Sequence, residues 1–569
     1  MTKRFLLKAL AWFDSYFLLV ATAFLVGFIP LYPKLPLLDI IPGYIVRMRL
    51  EDVLIFITFL AWLVQLIRKK VSIKNPLSPA IGAYVIVAIA STVSAFFITK
   101  TVPLHSVHVS KTVLHLIRNI EYFSLFFITL SAVRSTKDVK LFLKIAIGTL
   151  ITVSLYGIGQ KYFYWPVYST MNREFSKGIR LVLTEHARVQ STFGGHYDLA
   201  AYLVLAIPLV VSGLFAAKKR LTRNVLWIAL TLSAWLLVVT GARTSFVATF
   251  VALGIVLVLG VLKVKQQKVR FFIKYSLTIG LIFTFMLFKY GEDMYNRLLD
   301  TLEGFPELNA AYHQTNAARK YYMYEFIPEK LGLTETMNAL KIEQPENSIT
   351  TDELDAVLIK SDQQPIPQKP SDVYVNVPDL VKVATISATG ETEVIIVEKE
   401  RTYSQNALDH GLSMAIRLDT LWPQAWKGFL TNPLLGSGYA TLTKSSVYEF
   451  TEADSTDNNF LRVLGELGLL GFVAFYGTIV MALWQARNLY IHYSLDELET
   501  ILSTAYIAGT VGLLINAIFI DVFVSSKVAF TFWMVTGLVI AMTQIHASKS
   551  VASSQKKQVS QKRKRESNP

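Results

Sequence analysis

Twelve long apolar stretches constrain this chain more than any other feature. They lie near Leu10–Ile29, Val53–Ile67, Leu77–Ile98, Ser110–Val133, Phe142–Ile158, Asp198–Phe215, Val225–Thr240, Phe246–Leu262, Phe271–Phe288, Leu461–Trp484, Ile501–Ile520 and Val528–Ile545. A helix of about 20 apolar residues crosses a hydrocarbon core of about 30 Å, and several of these runs are long enough. Lipid offers the backbone no hydrogen-bonding partner, so such segments are driven into self-satisfied helices. The expected fold is an all-α integral membrane protein with about twelve transmembrane helices. Composition agrees, with 53% hydrophobic residues against 17% charged in a chain of 569. The opening Met1-Thr2-Lys3-Arg4 is short and basic. No small-residue cleavage site follows its apolar run, which therefore reads as the first span rather than a cleaved signal.

The net charge of +15 would suit a nucleic-acid partner. Its distribution argues against one. Arg68-Lys69-Lys70, the Arg134–Lys140 turn, Lys218-Lys219-Arg220, Lys263–Arg270 and Lys562-Arg563-Lys564-Arg565 all fall on one side of the membrane when the spans are counted. Positive charge concentrated in short loops orients membrane helices, so that side is expected to be cytoplasmic, with both termini inside. Membrane lipids are then the expected surroundings, with no nucleic acid.

Four parts follow. Residues 1–288 form a bundle of nine helices. Residues 289–460 form a large extracytoplasmic loop between helices nine and ten. Residues 461–547 supply three more helices, and 548–569 form a basic, disordered cytoplasmic tail. The outer loop carries an insertion over about 307–408, the least apolar part of the chain, and an amphipathic Trp helix over about 418–431. Within the insertion, Gln344–Lys369 is polar with scattered prolines and no period. Val381–Ser387 and Thr392–Val397 flank Ala388-Thr389-Gly390-Glu391 and read as a β-hairpin, giving a small α+β insertion.

Several chemistries are excluded. There is no cysteine, so no disulfide, thiolate ligand or cysteine nucleophile. There is no Walker A loop, no H-E-x-x-H, no G-x-S-x-G and no trustworthy metal-ligand spacing, so neither cofactor nor metal is expected. What remains is charge near the outer half of the membrane, where it is costly unless paired or lining a wet cavity. On the fourth helix His108, Lys111, His115 and Arg118 share a face, and Glu121 continues it one turn deeper. That stripe attracts anionic phosphate if it faces a polar cavity; the bland alternative is an Arg118–Glu121 pair that fixes packing. Arg47 and Arg49 also lie outside, placed to guide a lipid phosphate or to meet Glu51 and Asp52.

The most informative stretch is RLDTLWPQAWKGFLTNPLLGSGYATL from Arg417, followed after a polar interval by STDNNFLRVLGELGLLG, which ends at Gly471. Leu418, Leu421, Trp422, Ala425, Trp426 and Phe429 recur at helical spacing, with Thr420 as a cap and Pro423 in the first turn. Asn432-Pro433 stops that helix, and Gly436 and Gly438 permit a tight turn. Asp457 or Thr456 is placed to cap the next span. Arg462 and Glu466 form a structural (i, i+4) pair.

This order of motifs resembles the core of the O-antigen ligase and polymerase superfamily, bacterial polytopic glycosyltransferases. The resemblance implies an undecaprenyl-pyrophosphate-linked glycan donor, a glycan or lipid-linked acceptor, and reaction at the outer face of the cytoplasmic membrane. It implies that Arg243, in Thr240-Gly241-Ala242-Arg243-Thr244-Ser245, holds pyrophosphate, since a guanidinium grips phosphate bidentately. Arg417 resembles an arginine of the family's outer loop. Arg188 opens R-V-Q-S-T-F-G-G-H-Y-D, similar to a family pattern but with Gly194-Gly195-His196-Tyr197 where N-P-N is usual. That departure leaves His196 as a substrate-binding candidate and Asp198 as a helix cap. Asp457 stands where the ligases often carry histidine, and a carboxylate there can act as general base. Asn458 beside it joins the substrate-binding set with Lys111, His115, Arg118, Glu121 and Arg47. Glu452 and Asp454 are rival bases. The polymerase branch is favoured, through Asp457. A transporter or flippase and a non-catalytic envelope scaffold are the alternatives.

Overall fold

A computed structural model describes residues 8, 10–41, 46–171, 175–184, 187–292, 294, 379–386, 392–399, 404–442 and 455–566. Among these, twelve helices are long and apolar enough to cross a membrane. They are α1 (Leu10–Leu31), α2 (Leu50–Ile67), α3 (Ser78–Phe97), α4 (Ser106–Ala132), α5 (Thr136–Tyr162), α6 (His196–Ala216), α7 (Arg220–Val239), α8 (Arg243–Lys263), α9 (Lys268–Tyr290), and later α13 (Asn459–His492), α14 (Leu498–Asn516) and α15, whose spanning part is Ser526–Ala547. The protein is an all-α, multi-pass membrane protein. The chain divides into two compact units, residues 1–294 with 421–569, and residues 295–420.

In the first unit α6, α14 and α15 form the centre. In their most apolar windows 72%, 67% and 72% of residues are buried, against 17% for α9, whose apolar surface is left for lipid. Successive spans alternate in direction, so the starts of α2, α4, α6, α8, α13 and α15 share one end with the finishes of α1, α3, α5, α7, α9 and α14. Bonds across that end confirm the gathering. Lys34, just after α1, reaches Glu51 of α2 at 2.8 Å and also Ser526 of α15. Burial holds the Lys34 ammonium below the usual lysine range, against the opposing pull of Glu51. Lys527 is fully buried and donates to the carbonyls of Pro30 (3.0 Å), Tyr32 (2.6 Å) and Thr192 (2.8 Å). Between α1 and α2 a short pairing of β1 (Pro36–Leu38) with β2 (Met48–Arg49) closes the loop. At the opposite end, Arg68 forks onto Asp14 at 2.6 and 3.0 Å, while Lys218 meets Asp496.

α13 is broken. Gly468 has φ 64° and ψ −167°, a conformation essentially confined to glycine. The break exposes backbone groups inside the bundle, and the Asn432–Gly438 segment fills the need. Leu469 N–H donates to Pro433 O (2.8 Å) and Leu470 N–H to Leu434 O (3.2 Å). Ser437 and Gly438 N–H donate back to Gly465 O and Glu466 O, each at 2.9 Å. The approach is so close that a Cβ on Gly468 would stand 2.4 Å from the Leu434 carbonyl carbon.

The Trp helix is α12 (Trp422–Thr431), with proline in its first turn and a stop before Asn432. Thr420 is not its cap. A π-helical turn, Arg417–Leu421, runs straight into it, so no N-terminal donors are left for a hydroxyl to satisfy. Nor do Asp457 or Thr456 cap α13: Asn458 does, its side chain accepting from Leu461 N–H at 2.9 Å. Asp198 likewise lies inside the first turn of α6, whose N-cap is Gly195. The expected disordered tail is helical, because α15 continues unbroken from Ser526 to Glu566. The added residues contain no glycine or proline and are rich in Lys, Arg and Gln, which favour helix.

The second unit contains, among the described residues, an antiparallel pair β3 (Asp379–Ile386) and β4 (Thr392–Lys399) in register from Asp379↔Lys399 to Ile386↔Thr392. This is the anticipated hairpin; its turn at 387–391 and the polar stretch 344–369 lie outside the described residues. Two short helices follow, α10 (Gln405–His410) and α11 (Leu412–Ile416).

Candidate functional site at the gathered helix ends

The loop between α14 and α15, residues 517–525, is the hub of this end. Ala517 O accepts from Asn459 N–H of α13 at 2.8 Å, and Phe523 N–H donates to Asn459 Oδ1 at 3.3 Å. Val524 O accepts from the Tyr122 hydroxyl of α4 at 2.8 Å. One residue before the hub, Asn516 exchanges hydrogen bonds with the Ser245 hydroxyl of α8 at 3.0 and 3.2 Å. The middle of α4 and the starts of α8 and α13 are thereby tied to residues 516–524.

Two groups of the anticipated residues come together around it. The first contains Arg188, His196 and the turn before Arg243. Arg188 Nη1 lies 2.6 Å from His196 Nε2 and 3.4 Å from the Tyr197 hydroxyl. A guanidinium can only donate, so His196 accepts through Nε2 and carries its proton on Nδ1. Gly241 bends left-handed at φ 62°, and a Cβ there would touch Arg188 Cδ and Nε at 3.4 Å. The Arg188 stem thus lies across the turn that launches α8, whose first residue, Arg243, is half-buried.

The second group surrounds Asp457, which is half-buried with φ 50°, a left-handed backbone uncommon outside glycine. Its Oδ1 accepts from the Ser455 hydroxyl at 2.7 Å. Asn458 is buried and caps α13. Beneath them lies Asp521, a buried hub carboxylate that the sequence reading did not single out. It accepts from Thr456 N–H (2.9 Å), Asn458 N–H (3.1 Å), the Ser455 hydroxyl (2.9 Å) and Arg462 Nη1 (2.8 Å). Arg462 also stands 3.5 Å from Glu466, the anticipated structural pair. Asp521 could have been found only as an isolated acid in the otherwise apolar Ile518–Val524 run.

The α4 stripe is arranged differently. Arg118 binds Asp52 of α2 with two bonds, at 2.6 and 3.2 Å, and Glu121 at 2.8 Å. The lower part of the stripe is therefore an ion-paired brace between α2 and α4. Lys111 is buried and His115 half-buried, and Thr112 between them donates to Tyr439 O at 3.2 Å. Arg47 binds Asp39 at 2.6 Å rather than Glu51 or Asp52. Arg49 takes those neighbours instead, its N–H on Asp52 Oδ2 at 2.8 Å and its guanidinium 4.0 Å from Glu51. Arg417 belongs to the second unit, where Nη1 donates to the carbonyl and hydroxyl of Ser413 at 2.9 Å. Nearby, hydrogen bonds from Ser404 and Asn406 hold the Asp419 carboxyl below the usual carboxylate range. Glu452 and Asp454 lie outside the described residues.

The fold and the gathered loops define a class: a multi-pass membrane protein with a polar, arginine-bearing cap at one end of its bundle. No family model matches the chain, and no curated protein matches it.

Proposed function

We propose that the protein is a membrane glycosyltransferase of the O-antigen ligase/polymerase type, on the polymerase side. It takes a glycan from undecaprenyl pyrophosphate and joins it to an acceptor sugar hydroxyl at the outer face of a bacterial cytoplasmic membrane. In this reading both termini are cytoplasmic and the cap faces outward. The acceptor oxygen attacks the anomeric carbon, the bond from that carbon to the diphosphate oxygen breaks, and the electron pair leaves with the diphosphate. Arg188 and Arg243 neutralise the growing charge, the role a metal ion plays in many transferases. Asp457 accepts the acceptor's proton. A single displacement inverts the anomeric centre.

One observation supports this reading above the rest. Arg243 and Asp457 each stand two residues from a residue bonded to the hub or its edge, Ser245 to Asn516 and Asn459 to Ala517. The two residues assigned here to phosphate binding and proton acceptance thus share one scaffold, which supports the reading. The basic loops Arg68–Lys70 and Lys218–Arg220 at the opposite end support the orientation.

The test is Arg243→Ala and Asp457→Ala in cells that depend on the protein. Each is expected to abolish polymer formation, with lipid-linked donor accumulating and protein level unchanged. Full polymer length with either variant would overturn the assignment. Donor crossing between leaflets of reconstituted vesicles without transfer would replace the enzyme with a flippase.

A further inference from the structure

Asp521 and Ser455 have no part in the mechanism above, yet both contact the segment that carries its base. We infer that they form a positioning pair for Asp457, an inference that rests on the glycosyltransferase reading. Asp521 comes from a different helix connection and is buried. Its four accepted bonds come from Ser455, Thr456, Asn458 and Arg462, on both sides of Asp457 and none from Asp457 itself. Clamping the N–H groups before and after one residue fixes the backbone between them. The residue so fixed has φ 50°, a conformation that needs such support to persist.

Ser455 links the two carboxylates. Its Oγ is 2.7 Å from Asp457 Oδ1 and 2.9 Å from Asp521 Oδ2, and it accepts from the Asp457 N–H at 3.2 Å. A hydroxyl has one hydrogen, so it serves one carboxylate at a time. While Asp457 is anionic the hydrogen points to it and orients the carboxylate. When Asp457 takes the proton from the acceptor oxygen, the Ser455 hydrogen turns to Asp521. No bond of Ser455 breaks, and the only proton transferred is the one passing from acceptor to Asp457. Arg462 and the two backbone N–H groups keep Asp521 fixed through the change. These two residues therefore act on the rate of transfer and not on donor binding.

The experiment is steady-state kinetics of the purified full chain with polyprenyl-pyrophosphate-linked glycan. Ser455→Ala is expected to lower kcat about 10-fold, the effect of one lost hydrogen bond, with KM for the donor unchanged. Ser455→Thr, which keeps the hydroxyl, recovers most of that loss. Asp521→Asn lowers kcat about 100-fold, the scale of a misplaced catalytic group. It also speeds hydrogen exchange at the Thr456 and Asn458 amides while the rest of α13 stays protected. Unchanged kcat in Ser455→Ala and Asp521→Asn, alongside a dead Asp457→Ala, overturns the positioning pair and leaves the base in place. A KM rise with constant kcat also overturns it. Full activity in Asp457→Ala, or no transfer by the unaltered protein, overturns the parent reading and this inference with it.

Discussion

Gly468 shows how one residue carries consequences for a whole helix. Its backbone angles and the 2.4 Å approach to Leu434 leave no space for a methyl group. Gly468→Ala is expected to cost at least about 2 kcal/mol, from left-handed strain plus the backbone clash. Gly477 lies nine positions further on, where a Cβ meets nothing within 4 Å. Gly477→Ala is expected to be neutral or to stabilise by up to about 1 kcal/mol. Thermal melts in detergent of the two variants distinguish them, and similar effects would contradict the break. Lys527 makes a second case. Its ammonium serves three carbonyls, so Lys527→Met is expected to destabilise by about 3 kcal/mol, with a matching drop in melting temperature. The anticipated Arg188, Arg243 and Asp457 could be read from the sequence because each sits in a local motif at the edge of a span. Asp521 could not, because its partners lie 59 to 66 positions away and appear only once α13 and α14 pack.

At the scale of elements, apolar length and loop charge were enough to find the spans, since lipid enforces helicity wherever the chain is apolar for long enough. The break in α13 was not legible, because an isolated glycine in an apolar run is also compatible with a continuous helix. Its signal lay in two distant places, the glycines around Glu466 and the Asn432–Gly438 turn that docks against them. α12 reads more simply. It buries Ala425 and Gly428 against α13 and leaves Trp426 49% and Leu430 59% exposed, an arrangement suited to the membrane–water boundary. Trp422 lies instead beside Phe519, with ring centroids 6.4 Å apart. In bilayers with lipids brominated near the headgroup, Trp426→Phe is expected to remove more of the quenchable emission than Trp422→Phe. The reverse order would place α12 away from the interface.

At the scale of the molecule, an even number of spans places both ends of the described chain on the side of the basic loops. The absence of cysteine from all 569 residues makes this directly testable. Single cysteines at Leu104 and Tyr164 are expected to react with an impermeant maleimide in intact cells, and those at Lys69 and Gln266 only after permeabilisation. The opposite labelling would put the arginine-bearing cap inside and remove the proposed lipid-linked donor from its reach. The sequence could locate that cap but not show how its parts are held together, since the hub's tertiary bonds leave no local pattern. The most direct test of the central claim is to supply the purified, reconstituted protein with polyprenyl-pyrophosphate-linked glycan. The new linkage and the released lipid are then analysed together. The account predicts glycan joined to acceptor with inverted anomeric configuration and one polyprenyl diphosphate freed per linkage. Retained configuration, or donor recovered intact with acceptor present, would contradict it.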